Sequence, residues 1–169
     1  MGLFDRFTKN EAPAPAVQWP VTVFAGTTGK VVKMEEIPDP VFSQGVLGLC
    51  CGIEPTEGKV YAPVNGKITQ VADSKHAIGF VGPGNVEILI HVGVDTVDMN
   101  GDGFAPQIKV GDTVKTGQLV LTMDMAKIKA AGHPSTVITI VTNSDDFASV
   151  DLVGTSDVEV GADLFKVNK

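Results

Sequence analysis

The stretch Ala77-Ile78-Gly79-Phe80-Val81-Gly82-Pro83-Gly84-Asn85-Val86-Glu87-Ile88-Leu89-Ile90-His91 reads as two short apolar strands around a Gly/Pro turn. Runs rich in Val, Ile and Phe suit a pleated, half-buried surface, and Gly82-Pro83-Gly84-Asn85 is turn chemistry. Strands joined this way run antiparallel, so the start of the first lies beside the end of the second. His76, just before the first strand, is therefore expected to meet His91, at the end of the second. The chain holds only three histidines, so two at one strand edge point to function. An imidazole can accept and release a group near neutral pH, as a nucleophile or as an acid and base. Alone, His91 would read as the end of a buried strand. With His76, Asp95 and Thr96 beside it, a functional pair is the better reading.

Outward from this hairpin the same pattern repeats, in short Val-, Ile- and Thr-rich runs broken by Gly, Pro, Asn and Asp. Expected strands are Val21–Ala25, Lys30–Lys33, Leu47–Ile53, Gly66–Val71, Gln118–Met123, Thr136–Val141 and Leu164–Val167, besides Ala77–Val81 and Val86–His91. One helix is expected, with Asp124 as N-cap, Met125–Ala131 as its body and Gly132 as its stop. Tyr61–Val71 and Val110–Val120 resemble the opening and later halves of a biotinyl/lipoyl-type hairpin domain. The expected fold is all-β: an antiparallel β-sandwich or partly closed barrel of the duplicated hybrid-motif type, with one or two short helices.

A chain of 169 residues suffices for one domain with a real core, and 43% hydrophobic against 20% charged residues excludes wholesale disorder. Residues 1–16 read as an N-terminal amphipathic segment and an Ala/Pro linker, and 17–169 as the domain. Within Met1–Asn10, Leu3, Phe4 and Phe7 oppose Arg6 and Lys9, which allows weak peripheral contact with a membrane. That segment lacks the apolar core of a signal peptide, and no run spans a bilayer. A net charge of -7 argues against nucleic acid and favours a basic protein partner or simple solubility. Cys50 and Cys51, adjacent on a strand, point to opposite faces and suit two inert thiols in a reducing cytoplasm.

Several strings then come in a telling order. Pro38-Asp39-Pro40-Val41-Phe42-Ser43 is followed by Tyr61-Ala62-Pro63-Val64-Asn65-Gly66 and Ser74-Lys75-His76-Ala77. Next come His91-Val92-Gly93-Val94-Asp95-Thr96-Val97 and Asn100-Gly101-Asp102-Gly103-Phe104, and Val110-Gly111-Asp112 and Val141-Thr142-Asn143 close the series. The set resembles the glucose-type enzyme IIA of the bacterial phosphoenolpyruvate-dependent sugar phosphotransferase system, over about Val21 to Val167. His-x-Gly-x-Asp-Thr-Val is its most specific part. One departure is Gly48-Leu49-Cys50-Cys51-Gly52-Ile53-Glu54-Pro55, where many members read Gly-Asp-Gly before an Ala-Ile-x-Pro run.

The resemblance implies a cytoplasmic phosphoryl carrier of sugar uptake, a phosphotransferase with a phosphohistidine intermediate. It implies that His91 takes phosphate from the histidine-containing phosphocarrier protein and passes it to a cysteine of a sugar-permease IIB domain. His76 would then stabilise the phosphoryl group, with the Ser74 hydroxyl orienting it. Asp39 and Asp95 match rim acids that attract the phosphocarrier, against plain roles as a turn residue and as a support of the His91 loop; Val41, Phe42 and Val97 match an apolar collar around the histidines, with core packing an equal account. No cofactor or metal is implied, although adventitious zinc could bridge His76 and His91. Regulatory binding of permeases or kinases by the unphosphorylated form fits the same collar.

Two rivals differ in class. A biotin or lipoyl carrier would use Lys127, but Ala126-Lys127-Ile128 falls in the expected helix and leaves both histidines unused. A zinc-binding hybrid-motif peptidase would use His91 and Asp95, yet it needs a further His-x-His that is absent. His133, in Gly132-His133-Pro134, is read as a surface residue.

Overall fold

In the computed structural model, which describes residues 16–169, the β-branched runs become strands wherever turn residues break them. The amphipathic segment Met1–Asn10, and all of the expected linker except Ala16, lie outside the described residues. In chain order the first strands are β1 (Val21–Phe24), β2 (Gly29–Val32), β3 (Leu49–Pro55), β4 (Lys59–Tyr61), β5 (Gly66–Val71), β6 (Ala77–Val81) and β7 (Glu87–Val92). The second half adds β8 (Phe104–Pro106), β9 (Thr113–Val114), β10 (Leu119–Met123), β11 (Val137–Val141), β12 (Ser149–Leu152), β13 (Asp157–Val158) and β14 (Asp163–Asn168). Two short helices complete the set, α1 (Pro40–Ser43) and α2 (Met125–Ala130).

Every expected strand forms, its ends displaced by no more than two residues. The strands that went unexpected, β4, β8, β9, β12 and β13, are short and show little alternation. They exist because a longer neighbour pairs with them, as β10 does with β4 and β8. The strands form an eight-stranded sheet, in the order β13-β2-β3-β11-β7-β6-β5-β9, and two three-stranded sheets, β1-β14-β12 and β4-β10-β8. The end strands β13 and β9 do not pair with each other, so this sheet closes no barrel.

Alternation places the site. Along β7, Ile88, Ile90 and Val92 are buried while Leu89 and His91 are half-buried. Ile88, Ile90 and Val92 join Phe80, Ile78, Ile68, Ile53 and Leu121 in the main core. Each such side chain contributes about 1.5–3 kcal/mol by leaving water. β11 is buried along its whole length because its other face is also covered. Ile138 and Ile140 there pack with Ile37, Phe42, Cys50 and Val94 in a second cluster. From that cluster Phe42 packs on the His91 ring, and Ile138 stands opposite His91 on the neighbouring strand.

Cys50 belongs to this outer cluster and Cys51 to the main core, as opposite faces of one strand require. Both thiols are free. Burial pushes Cys50 up to about 11 and Cys51 higher still, so neither is a thiolate at neutral pH. Among the described residues no helix is long and apolar enough to cross a membrane.

Candidate active site

The antiparallel register of β6 and β7 sets Ala77 opposite His91. One residue beyond, the carbonyl of His76 accepts a 2.8 Å bond from the Val92 amide. The two imidazoles consequently meet, their centroids 4.7 Å apart and their planes nearly perpendicular at 83°. Phe42 packs against His91 at 4.9 Å, and Phe104 lies 6.4 Å from His76. His76 is buried and His91 half-buried, so one ring supports and the other is open to a partner.

Nδ1 of His91 lies 2.8 Å from the carbonyl oxygen of Gly93. A carbonyl can only accept, so Nδ1 carries the proton and Nε2 keeps its lone pair. Burial, then the positive charge His76 can carry, lowers the His91 pKa from 6.5 to about 4. The Gly93 carbonyl, Asp39 and Asp95 oppose that shift without cancelling it. Burial also lowers the pKa of His76, and the nearby Ser74 carbonyl pushes back. At neutral pH both rings are uncharged.

The first expected result follows from that cause. In an NMR titration the His91 ring should show its midpoint near 4, with no step near 6.5. Because the folded pKa is depressed, the stability linked to His91 is fully present above 6.5 and lost as pH falls toward about 4. A midpoint at 6 or above would mean that the ring is solvated and the site more open than described.

The loop after His91 is tightly specified. Gly93 has φ +82, and a Cβ there would run into the side chain of Thr96. Its amide donates to the Thr136 carbonyl at 2.7 Å, and the Val94 amide donates to Pro134 at 3.2 Å. The buried Thr96 hydroxyl donates to the Val92 carbonyl and pins the turn beneath His91. Asp95, at φ 62, begins a 3₁₀ turn over Thr96–Met99, which leaves Val97 54% exposed. Sequence reasoning noted Thr96 only as a neighbour, and the motif string was its one signal.

On the other side stands α1. Asp39 is its N-cap, one carboxylate oxygen accepting from the Val41 amide at 2.8 Å, with Pro40 in the first turn. The helix turns Phe42 inward, where it is buried and packs against His91. Val41 is exposed, as are Val46 and Leu47; Leu47, expected to open a strand, lies before β3, which begins at Leu49. The Val46 amide bonds to the Val41 carbonyl at 3.1 Å, tying this apolar edge together.

Two expectations change here. The Ser74 hydroxyl does not hold His76 in this structure, because His76 Nδ1 is buried without a hydrogen-bond partner. It is the Ser74 carbonyl that acts on the ring, near enough to favour its charged form without completing a bond. His133 is not a free surface residue: its side chain is 15% exposed and its Nε2 lies 2.7 Å from Asp98 Oδ1. Among the described residues no group of three or more His, Cys, Asp or Glu is arranged to hold a metal ion. Lys127 lies in α2, paired with Asp102 at 2.8 Å, and not on a hairpin tip.

A family model described as phosphoenolpyruvate-dependent sugar phosphotransferase system, EIIA 1, matches residues 21–147. The glucose-specific EIIA component of Halalkalibacterium halodurans is 36% identical over 157 residues, covering 93% of this chain and 89% of that protein. The β-glucoside-specific EIIBCA component of Dickeya chrysanthemi is 41% identical over 143 residues, which is 85% of this chain but only 23% of that longer protein. Among solved structures, the glucose permease IIA from Mycoplasma capricolum superposes with a TM-score of 0.78 at 28% identity, covering 90% of this chain and 97% of that one.

Proposed function

The chain belongs to the EIIA 1 family of the phosphoenolpyruvate-dependent sugar phosphotransferase system, and from that premise we propose that His91 is the residue that carries its phosphoryl group. The protein is a phosphoryl carrier of sugar uptake, and therefore a phosphotransferase. One observation supports His91 above the rest: its proton is held on Nδ1 by Gly93, so a neutral Nε2 is ready as nucleophile.

The donor we assign is the small histidine-containing phosphocarrier protein. Nε2 attacks the phosphorus in line, and a new N–P bond forms as the carrier's breaks, the electron pair staying on the carrier nitrogen. Onward transfer reverses the roles, with a cysteine of a permease IIB domain as acceptor. The EIIBCA relative, in which matching sequence forms 23% of the chain, supports a partner of that kind. His76 donates an N–H to the developing charge on the phosphoryl oxygens. The Ser74 carbonyl biases the orientation of that ring. Positioning does most of the work, so no metal is invoked.

Residues 17–169 act as one unit in the cytoplasm, a placement that the two adjacent free thiols support. Residues 1–10, with Leu3, Phe4 and Phe7 opposite Arg6 and Lys9, allow weak membrane contact, and a net charge of -7 argues against a nucleic-acid partner. Without phosphate, Val41, Val46, Leu47 and Val97 offer an apolar face to regulatory targets. A phosphoryl dianion on His91 sets charge in its middle and turns such binding off.

The relay itself tests this reading. Incubation with phosphoenolpyruvate, enzyme I and the phosphocarrier should place acid-labile phosphate on the protein, at a rate that falls as salt rises. Asp39→Asn/Asp95→Asn should be slower at low salt and flatter in its salt dependence, because screening shortens charge attraction to about 8 Å at physiological ionic strength. Asparagine can still cap α1 and still occupy the positive φ of residue 95, so the fold is spared. Absence of any labelling would remove the assigned donor. An unchanged salt slope would leave the two acids as a cap and a turn residue.

A further inference from the structure

The chain between β7 and β8 carries Asp95 and Val97; its Thr96 side is pinned by the hydroxyl bond to Val92, and its Asp98–Asn100 side is held more loosely. Its single 3₁₀ turn is closed by long bonds, Asp98 N to Asp95 O at 3.4 Å and Asn100 N to Val97 O at 3.3 Å, against a usual 2.9–3.0 Å. Left-handed residues stand at both ends, Asp95 at φ 62 and Asn100 at φ 55. Beyond the Thr96 hydroxyl bond and the packing of Met99 on the main core, its Asp98 side draws on a neighbouring element.

The brace is α2 together with the segment that follows it. The Asp124 amide donates to Gly103 O at 2.8 Å, and Lys127 Nζ meets Asp102 Oδ1 at 2.8 Å. The carbonyls of Pro134 and Thr136 take the amides of Val94 and Gly93. Between these two ends, among the described residues, His133 is the side chain of this brace that hydrogen-bonds to the turn, its Nε2 donating to Asp98 Oδ1 at 2.7 Å. His133 is in turn fixed to the core, since its amide donates at 3.1 Å to the carbonyl of the fully buried Ile128. The Lys127–Asp102 pair is more than half exposed on both sides and holds little by comparison.

We propose that His133 is a positioning residue for phosphoryl transfer. Through Asp98 it holds the Thr96–Met99 turn so that Asp95 and Val97 stand in register with His91 when the phosphocarrier docks. The inference rests on the reading of Asp95 and Val97 as docking positions. It places a specificity determinant outside the His-x-Gly-x-Asp-Thr string, on a different element of the fold.

Steady-state phosphorylation by the carrier separates positioning from mere support. His133→Phe keeps a ring to fill the site but removes the donor; its KM for the phosphocarrier should rise about threefold to fivefold with kcat unchanged. His133→Gln, which restores an N–H, should return KM toward the parent value. The pair His133→Phe/Asp98→Ala should be no worse than either single change, since both break one bond. A lowered Tm with KM unmoved, or additive penalties in the double variant, would overturn the proposal. A carrier-independent readout stands beside these: the Val97 methyl resonances should shift and broaden in His133→Phe, and unchanged resonances would count against the inference. If the parent protein takes no label at all, the donor assignment fails, and the Val97 resonances still decide the role of His133.

Discussion

His91→Gln is expected to take up no acid-labile phosphate in the reconstituted relay, a loss on the order of 10⁶-fold when a nucleophile is removed outright. An amide nitrogen has its lone pair delocalised into the carbonyl and cannot form a stable bond to phosphorus. Glutamine spans nearly the length of the imidazole and can still donate to the Gly93 carbonyl, so the β7 edge should persist. The change also leaves the cluster of Phe42, Cys50, Ile138 and Ile140 in place. The measurement is radiolabel transfer from phosphoenolpyruvate, with an NMR fingerprint spectrum to show that the variant is folded. A folded His91→Gln that labels at the parent rate would move the carrier role to another residue. His76 would be the first to examine, since its ring lies 4.7 Å away.

The strand–turn–strand unit at residues 77–91 was legible because each layer of its sequence agrees. The apolar runs have strand length, the Gly/Pro turn fixes the reversal, and antiparallel pairing then forces His76 toward His91. Nothing beyond local sequence and one pairing rule was needed. α1 was hidden for the opposite reason. Pro38-Asp39-Pro40 reads as turn chemistry, and a four-residue helix has too few positions to show a period. Its role is visible only when the Asp39 cap and the contact of Phe42 with His91 are seen together. β9 and β13 have two residues each and no pattern of their own; their partners β5 and β2 create them. His133 was misread because its partner lies 35 residues away, across a fold that no local pattern encodes. The Ser74 hydroxyl shows the limit of a motif: the string names a residue without saying whether its side chain or its backbone faces the ring.

The second large effect should be directional. His76→Gln is expected to accept phosphate at close to the normal rate, yet to pass it to IIB roughly 10²–10³-fold more slowly, the loss typical of one missing transition-state donor. Acceptance needs a neutral Nε2 on His91, and that survives the change. Burial is the largest cause of the depressed His91 pKa, with His76 second, so removing His76 lets the pKa rise from about 4 without returning to 6.5. The nucleophile therefore stays uncharged at neutral pH. Release is expected to differ, because breaking the N–P bond gathers charge on phosphoryl oxygens that a group on His91 would hold near the buried ring of His76. A rigid ring N–H costs little reorganisation, whereas the flexible glutamine amide must be ordered first. Single-turnover transfer from the pre-phosphorylated variant to a IIB domain measures this step apart from loading. Equal rates in both directions would reduce His76 to a packing partner of His91, and the perpendicular contact of the two rings would then be a matter of aromatic geometry alone.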